Sequence, residues 1–375
     1  MVIFAALMKK ITVTFIFLLF FAAGQSQTRI EGAFSTGVLV EHHANKMAAL
    51  AKERPYALEL GVSRQTGSNQ AWAASYNYPR YGVSLLFLSP GNPEDIGQIY
   101  GLIPNMRFSF LRRNYLFDPG LRIGVGAGYV TKPFDPNTNY KNIILSSHWN
   151  AAVSFGFDLE ARLPKQLALR SSIGIVHFSN GATKIPNYGI NLFVASIGLS
   201  YAFSAVEQPC FVHRAPAEKV FIGGKKEQRR HLDIFLTGGP KENRVLFDGE
   251  KYAVATVSTE GSYRYVRQAA VGVGVDLSYD WSERKEILKE NGVSIAEWQA
   301  LKPGLAVHHE FFFGRLSAFT QLGAYIHLNK YNTQTTYQRF ALRYTAGDRL
   351  RLHLGVKSFG LAADSMEFGL GFRIL

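Results

Sequence analysis

Residues 149–163, with the sequence WNAAVSFGFDLEARL, are the clearest indication of the fold because two kinds of side chain alternate along their whole length. The odd-numbered positions, from Trp149 to Leu163, are all apolar, whereas the even-numbered positions are polar or small and include Asp158 and Glu160. Successive side chains of a β-strand point to opposite faces, so this pattern predicts a strand with one apolar and one polar face. The segment is also longer than a usual strand of a soluble protein.

The same alternation recurs along the chain, in residues 121–129, 271–279, 350–357 and 367–374. A soluble β-sandwich would show the same period in shorter strands. Here the polar face carries charges and glycines, as the interior of a membrane barrel does, and the strands are long enough to cross a bilayer at a tilt. Since a closed barrel also satisfies every backbone group in lipid, the sequence predicts an all-β, transmembrane antiparallel β-barrel.

The number of strands follows less directly from the pattern. We expect a single barrel of about 14–16 strands, and an eight-stranded barrel followed by a second β-rich half is the alternative. The strands expected before Arg230 lie near residues 34–42, 56–65, 81–89, 103–111, 117–130, 148–162, 167–179 and 190–203.

Composition divides the chain into segments. Residues 27–203 form the first barrel half, and residues 230–375 form the second. Residues 204–229, which contain Pro, Gly and a run of Lys and Arg, are interpreted as a connector. Residues 281–301 are polar with a helical tendency, so we expect them to lie outside the membrane.

The N-terminal residues 1–26 have the layout of a signal peptide. Lys9 and Lys10 precede an apolar run from Ile11 to Ala23, and small residues follow, with cleavage expected after Ser26. The apolar run is shorter than the roughly 20 residues that a membrane-spanning helix needs. We therefore expect a secreted chain that resides in the outer membrane of a Gram-negative-type cell.

Charge and composition limit the partners. The formal net charge is +13, with 47% hydrophobic and 13% aromatic residues, so the chain can fold and is not a disordered tail. The excess positive charge suits a nucleic acid or an anionic glycolipid surface equally well. For a secreted membrane barrel we expect lipid as the partner and no nucleic acid. The chain has no HExxH, CxxC or P-loop motif, and we expect no metal and no cofactor.

One predicted hairpin, residues 167–203, places three polar side chains on its otherwise apolar outer face. His177, Ser179 and Asn191 lie together at the loop end of the hairpin. A serine hydroxyl needs a neighbouring base to become a nucleophile, and the base needs a third group to hold its tautomer. A site on the outer wall suits an ester in the lipid headgroup layer. The alternative is that these residues are ordinary polar residues of the interfacial rim, and the spacing alone is a weak pattern.

A short motif connects this hairpin to a known family. The segment from His177 to Gly189 resembles the pattern H-x-S-N-x-x-x-K-x-P-N-x-G of the outer-membrane lipid A 3-O-deacylases. The matching residues are His177, Ser179, Asn180, Lys184, Pro186, Asn187 and Gly189. Since the family barrel has eight strands, the resemblance covers the first, deacylase-like half, mainly residues 32–203, and says nothing about residues 204–375.

The resemblance implies a role for each matching site residue. Ser179 would be the nucleophile and His177 the general base, while Asn187 and the backbone N–H of Gly181 would form the oxyanion hole. The third catalytic member of the family is a Glu, and Asn191 stands at its position. An Asn can orient a His but cannot stabilise the imidazolium as a carboxylate does. Either Asn191 suffices with lower activity, or another group substitutes, or the site is degenerate.

The resulting hypothesis is an outer-membrane serine esterase that removes the ester-linked 3-O-acyl chain from lipid A or lipopolysaccharide. Two alternatives stay open. One is a non-enzymatic channel or transport barrel in which the hairpin is a relic, and the other is an outer-membrane phospholipase. The sequence does not give the oligomeric state.

Overall fold

The computed structural model describes residues 28–40, 50–67, 70–111, 116–203, 221–222, 225–226, 229–360 and 362–375. The expected signal peptide, residues 1–26, and most of the expected connector, residues 204–229, lie outside the described residues. Among the residues that are described, no helix has the length and apolar character needed to cross a bilayer.

The first eight strands form a closed antiparallel barrel. These strands are β1 (Thr28–Leu39), β2 (Tyr56–Gln65), β3 (Arg80–Ser89), β4 (Ile99–Ser109), β5 (Phe117–Val130), β6 (Trp149–Arg162), β7 (Leu167–Ser179) and β8 (Ile190–Ala202). A four-residue helix, α1 (Ala71–Ala74), lies between β2 and β3. The barrel closes because β1 pairs with β8 along nearly its whole length, from Arg29 opposite Ala202 to Leu39 opposite Leu192.

The outer and inner faces of this first barrel differ as the alternation predicts. Outward side chains such as Phe157, Ile173 and Ile197 are more than half exposed, which suits contact with lipid. At the end of the barrel that carries the β7–β8 connection, large apolar side chains point inward. Phe178 and Ile190 are fully buried there. These side chains give the hairpin a packed inner wall.

The other end of the first barrel is filled by ion pairs. Glu160 lies 2.7 Å from both Arg29 and Arg80, and Arg107 lies 2.7 Å from Asp158. Paired charges are expected here because a single buried charge would be costly. A cavity of about 80 Å³ inside the barrel is lined by polar and apolar side chains.

The later strands form a second closed antiparallel barrel of eight strands. They are β11 (Arg230–Glu242), β12 (Lys251–Val266), β13 (Ala269–Asp280), β14 (Leu301–Phe313), β15 (Leu316–Tyr325), β16 (Thr336–Ala346), β17 (Leu350–Phe359) and β18 (Ala362–Arg373). Before them, β9 (Phe221–Ile222) and β10 (Lys225–Lys226) make a two-stranded sheet. Between β13 and β14 lie α2 (Glu283–Asn291) and a 3₁₀ helix (Glu297–Ala300), within the segment expected to be helical and extramembrane.

Buried ion pairs also fill the second barrel. Arg343 forms two 2.7 Å bonds to Glu260, and Arg351 lies 2.8 Å from Asp233. The guanidinium of Arg339 pairs with further carboxylates, and all three arginines are only 1% exposed. The interior is therefore a packed network of charges rather than an apolar core.

The predicted fold class is confirmed, and the number of barrel strands, 16, lies within the expected range. The preferred arrangement in one barrel needs correction, because the strands close into two barrels of eight. The pairing of β1 with β8 uses both open edges of the first sheet, so β8 has no edge left to pair with β11. The alternative, an eight-stranded barrel followed by a second β-rich half, describes the arrangement found.

Candidate active site

The β7–β8 hairpin brings His177 and Asn191 directly opposite each other. The Nδ1 atom of His177 lies 2.6 Å from the Oδ1 atom of Asn191. An amide oxygen only accepts hydrogen bonds, so Nδ1 carries the proton in this pair. In a neutral imidazole the Nε2 atom is then the acceptor, which is the tautomer that a general base needs.

Ser179 ends β7, two residues after His177 and on the same face of the strand. Its Oγ atom accepts two hydrogen bonds from the loop that follows. The backbone N–H of Gly181 donates at 3.1 Å, and the Nδ2 amide of Asn187 donates at 2.8 Å. Two donors thus converge on the hydroxyl oxygen of Ser179, the predicted nucleophile.

The connection between β7 and β8, residues 180–189, holds these donors in place through Asn180. The backbone N–H of Asn180 donates to Oδ1 of Asn187 at 3.3 Å. The side-chain Nδ2 amide of Asn180 donates to the carbonyl of Lys184 at 2.9 Å. Because Oδ1 of Asn187 accepts from Asn180, its Nδ2 amide is directed to Ser179. Gly181 has a φ of +62°, in the left-handed region that favours glycine.

The surroundings of the site combine a buried support with an open outer side. Asn187 is 9% exposed, whereas His177, Ser179 and Asn191 are half-buried. Just below them on the outer wall, Ile175 and Phe193 are 47% and 46% exposed. The polar group therefore lies at the loop end of the apolar outer face of the hairpin.

Phe178, between His177 and Ser179, points the other way and anchors β7 to the barrel interior. It is fully buried, and a Cβ atom added at Gly128 of β5 would lie 2.5 Å from its ring. The hairpin is also tied to the loop before β6, since the N–H of Gly189 donates to the carbonyl of Ile144 at 2.9 Å. Packing on the inner side thus fixes the residues on the outer side.

The five residues predicted as site residues all belong to this hairpin and its loop. They are His177, Ser179, Gly181, Asn187 and Asn191. The described bonds join them as a His177–Asn191 pair and a Ser179–Gly181–Asn187 group. Their catalytic roles stay predictions. Sequence reasoning gave no role to Asn180, although it is part of the quoted motif. In that motif an Asn directly follows the Ser, and this fixed position was the sequence signal that Asn180 supports the loop.

Two family models match the chain. A model described as lipid A 3-O-deacylase (PagL) matches residues 56–200, and a model described as acyloxyacyl hydrolase, C-terminal domain (PagL_C), matches residues 230–375. Together they match seven of the eight strands of the first barrel, all of the second barrel and well over half of the chain. The family resemblance expected for residues 32–203 therefore extends to the second barrel, about which the sequence motif said nothing.

Solved structures with similar barrels are known. A crystal structure of the outer membrane enzyme PagL is 15% identical, with a TM-score of 0.31, and the match covers 45% of this chain and 97% of that one. Neisserial surface protein A is 10% identical, with a TM-score of 0.31, over 47% of this chain and 97% of that one. A Rh. blastica porin mutant is 8% identical, with a TM-score of 0.18, over 92% and 99%. No curated protein sequence matches the chain significantly.

The fold and the matched models define an outer-membrane β-barrel protein of Gram-negative bacteria from a family of hydrolases. The chain belongs to the lipid A 3-O-deacylase (PagL) family. The members of this family are outer-membrane lipid A deacylases, so the substrate class that the sequence predicted agrees with the family.

Proposed function

We propose that the protein is a serine esterase that removes the 3-O-linked acyl chain of lipid A. The observation that carries the proposal is that two hydrogen-bonded groups, one around His177 and one around Ser179, lie at the loop end of the same hairpin. His177 is held by Asn191 at 2.6 Å, and Ser179 receives the Asn187 amide at 2.8 Å. A base with an oriented imidazole and a hydroxyl with converging donors are the parts that ester hydrolysis needs.

In the proposed reaction, Oγ of Ser179 attacks the ester carbonyl while Nε2 of His177 takes the hydroxyl proton. The oxyanion of the tetrahedral intermediate accepts hydrogen bonds from the Gly181 N–H and the Asn187 amide, which turn from Ser179 to the substrate. The C–O bond to the sugar then breaks, and His177 returns the proton to the leaving sugar oxygen. Water, activated by His177, hydrolyses the acyl-serine to release the fatty acid and restore Ser179.

Asn191 would orient His177 without adding a negative charge. A hydrogen bond to a charged partner is worth roughly 1.5–3 kcal/mol, against about 1 kcal/mol for a neutral one. The difference corresponds to about a tenfold change in rate. On this account the site is functional, with lower activity than a Glu at position 191 would give.

The interiors of the two barrels favour the enzyme over the channel alternative. In the first barrel, Glu160 bonds to Arg29 and Arg80 at 2.7 Å. In the second barrel, Arg343 and Glu260 form a bidentate pair that is at most 3% exposed. Ion-pair networks packed across a narrow eight-stranded barrel leave room for side chains rather than for a water-filled path.

The proposal is tested by incubating the purified full chain separately with lipid A and with phospholipid vesicles and identifying the released acid. Release of a 3-hydroxy fatty acid from lipid A, absent with Ser179→Ala, is expected. Release from phospholipid alone would favour the phospholipase alternative and contradict the proposal.

A further inference from the structure

The loop that carries Gly181 and Asn187 makes well-defined bonds to a residue far along the chain. Ser179–Tyr188 belongs to the same compact unit as the strands β11–β18. Within that unit, Glu242, the last residue of β11, bonds to the loop through both its backbone and its side chain. No role for Glu242 follows from the ester chemistry described above.

The two bonds hold the loop at both sides of a turn. The backbone N–H of Glu242 donates to the carbonyl of Ala182 at 2.9 Å. The backbone N–H of Ile185 donates to Oε2 of Glu242, also at 2.9 Å. The bond to Ala182 is made by the backbone of Glu242, whereas the bond to Ile185 depends on its side chain.

These bonds are shielded from water. Glu242 is 7% exposed, Ala182 is 2% exposed and Ile185 is 9% exposed. If the carboxylate were removed, the buried N–H of Ile185 would lose its acceptor, which costs more than the loss of an exposed bond. The loop would then have to move to find another partner or water.

The positions of the two bonds relative to the proposed oxyanion donors are specific. Ala182 directly follows Gly181, and Ile185 precedes Asn187 by two residues. Met366 of β18 packs over the same loop, since a Cβ atom added at Gly181 would lie 2.5 Å from its Cγ atom. The two bonds of Glu242 and the contact with Met366 therefore fix the short segment that connects Gly181 and Asn187, the two donors to Ser179.

We infer that Glu242 is a positioning residue that holds Gly181 and Asn187 in the geometry of an oxyanion hole. The inference rests on the proposed function and extends it, because it gives residues of the second family match, 230–375, a part in the reaction of Ser179. Glu242 touches neither the substrate nor the reacting atoms. Its effect is on kcat, since an oxyanion is bound in the transition state and not in the ground state.

The test compares Glu242→Ala and Glu242→Gln in the full chain. The matched control is Glu290→Ala, which changes an exposed glutamate of α2. Glu242→Ala is expected to lower kcat on lipid A by roughly 10-fold to 100-fold with KM changed less than about threefold. Glu242→Gln keeps an acceptor for Ile185 and is expected to recover most of kcat, and Glu290→Ala is expected to match the wild type.

A second measurement separates this inference from the proposed function. Amide hydrogen exchange of residues 181–187 in the folded, detergent-solubilised protein needs no activity, and Glu242→Ala is expected to raise the exchange rate of the Ile185 amide at least tenfold. Unchanged exchange and unchanged kcat would overturn the inference. If wild type and Ser179→Ala are both inactive, the proposed function fails. The exchange rate of the Ile185 amide then still decides whether Glu242 holds the loop. In an active enzyme, faster exchange in Glu242→Ala without a fall in kcat would assign Glu242 a purely structural role and overturn the inference.

Discussion

The Nδ1 atom of His177 and the Oδ1 atom of Asn191 lie 2.6 Å apart across a directly paired position of β7 and β8. In the proposed mechanism Asn191 therefore orients His177 and supplies an acceptor without a charge. The bond selects the imidazole tautomer that a general base requires, but it stabilises the protonated imidazole less than a carboxylate would.

Asn191→Glu is therefore expected to raise kcat on lipid A by about tenfold, because a carboxylate stabilises the imidazolium that forms in the transition state. Asn191→Leu is expected to lower kcat, since Nδ1 of His177 loses its acceptor. Steady-state kinetics of the purified variants measure both effects. Equal activity in all three proteins would show that Asn191 does not act through His177.

Asn187→Ala removes one of the two donors that meet Oγ of Ser179. Loss of a single oxyanion-hole donor typically reduces kcat by about 10²–10³-fold, and we expect that range here. Asn180→Ala should give a smaller reduction, because it removes only the side-chain bond to the carbonyl of Lys184 and keeps the backbone N–H that orients the Asn187 amide. The kinetics of the two variants, with KM measured alongside, are the check, and a larger effect of Asn180→Ala would contradict these roles.

Gly128→Ala tests the packing behind the site. The new Cβ atom would lie 2.5 Å from the buried ring of Phe178, so the ring and β7 must shift. We expect a loss of about 1–3 kcal/mol in the free energy of unfolding and a lower kcat. The control is Gly261→Ala, whose Cβ atom would have no neighbour within 4 Å. Urea unfolding in lipid vesicles compares the two, and equal stabilities would contradict the packing argument.

Glu260→Ala tests the ion-pair interior of the second barrel. It leaves Arg343, which is 1% exposed, without its bidentate partner. Removing one member of a buried pair typically costs about 3–5 kcal/mol of unfolding free energy, and we expect that range. Glu297→Ala breaks an exposed pair with Arg284 and should cost less than about 1 kcal/mol. A similar loss in both variants, measured by the same unfolding assay, would contradict a structural role for the network.

Planar-bilayer recordings test the interpretation of both interiors. The wild-type protein is expected to show no single-channel steps, because each barrel is narrow and holds packed ion pairs. A porin of known conductance, inserted under the same conditions, is the positive control. Regular conductance steps from this chain would favour the channel alternative.

Much of the fold could be predicted because membrane strands alternate over many residues. The expected strands at 56–65 and 117–130 coincide with β2 and β5. The first strand was expected near 34–42, but β1 begins at Thr28. Its early part carries Arg29 and Glu31, whose partners Glu160 and Arg170 lie far along the chain, so the local pattern gave no sign of burial.

Alternation alone could not decide between one barrel and two. Alternation identifies strands, whereas closure depends on which strands pair at the edges, and β1 and β8 are separated by most of the first half. The candidate site could be predicted from the sequence because His177, Ser179 and Asn191 lie within one hairpin. The contact of Glu242 could not be predicted, since it bonds to Ile185 across 57 positions and no local motif marks it.

Mass spectrometry of lipid A incubated with the purified protein, beside Ser179→Ala, tests most directly whether Ser179 performs the proposed deacylation. The wild type is expected to remove one hydroxyacyl chain from the 3-O position, and Ser179→Ala is expected to leave lipid A intact. Lipid A that stays unchanged with the wild type and also with Asn191→Glu would contradict the proposed deacylation.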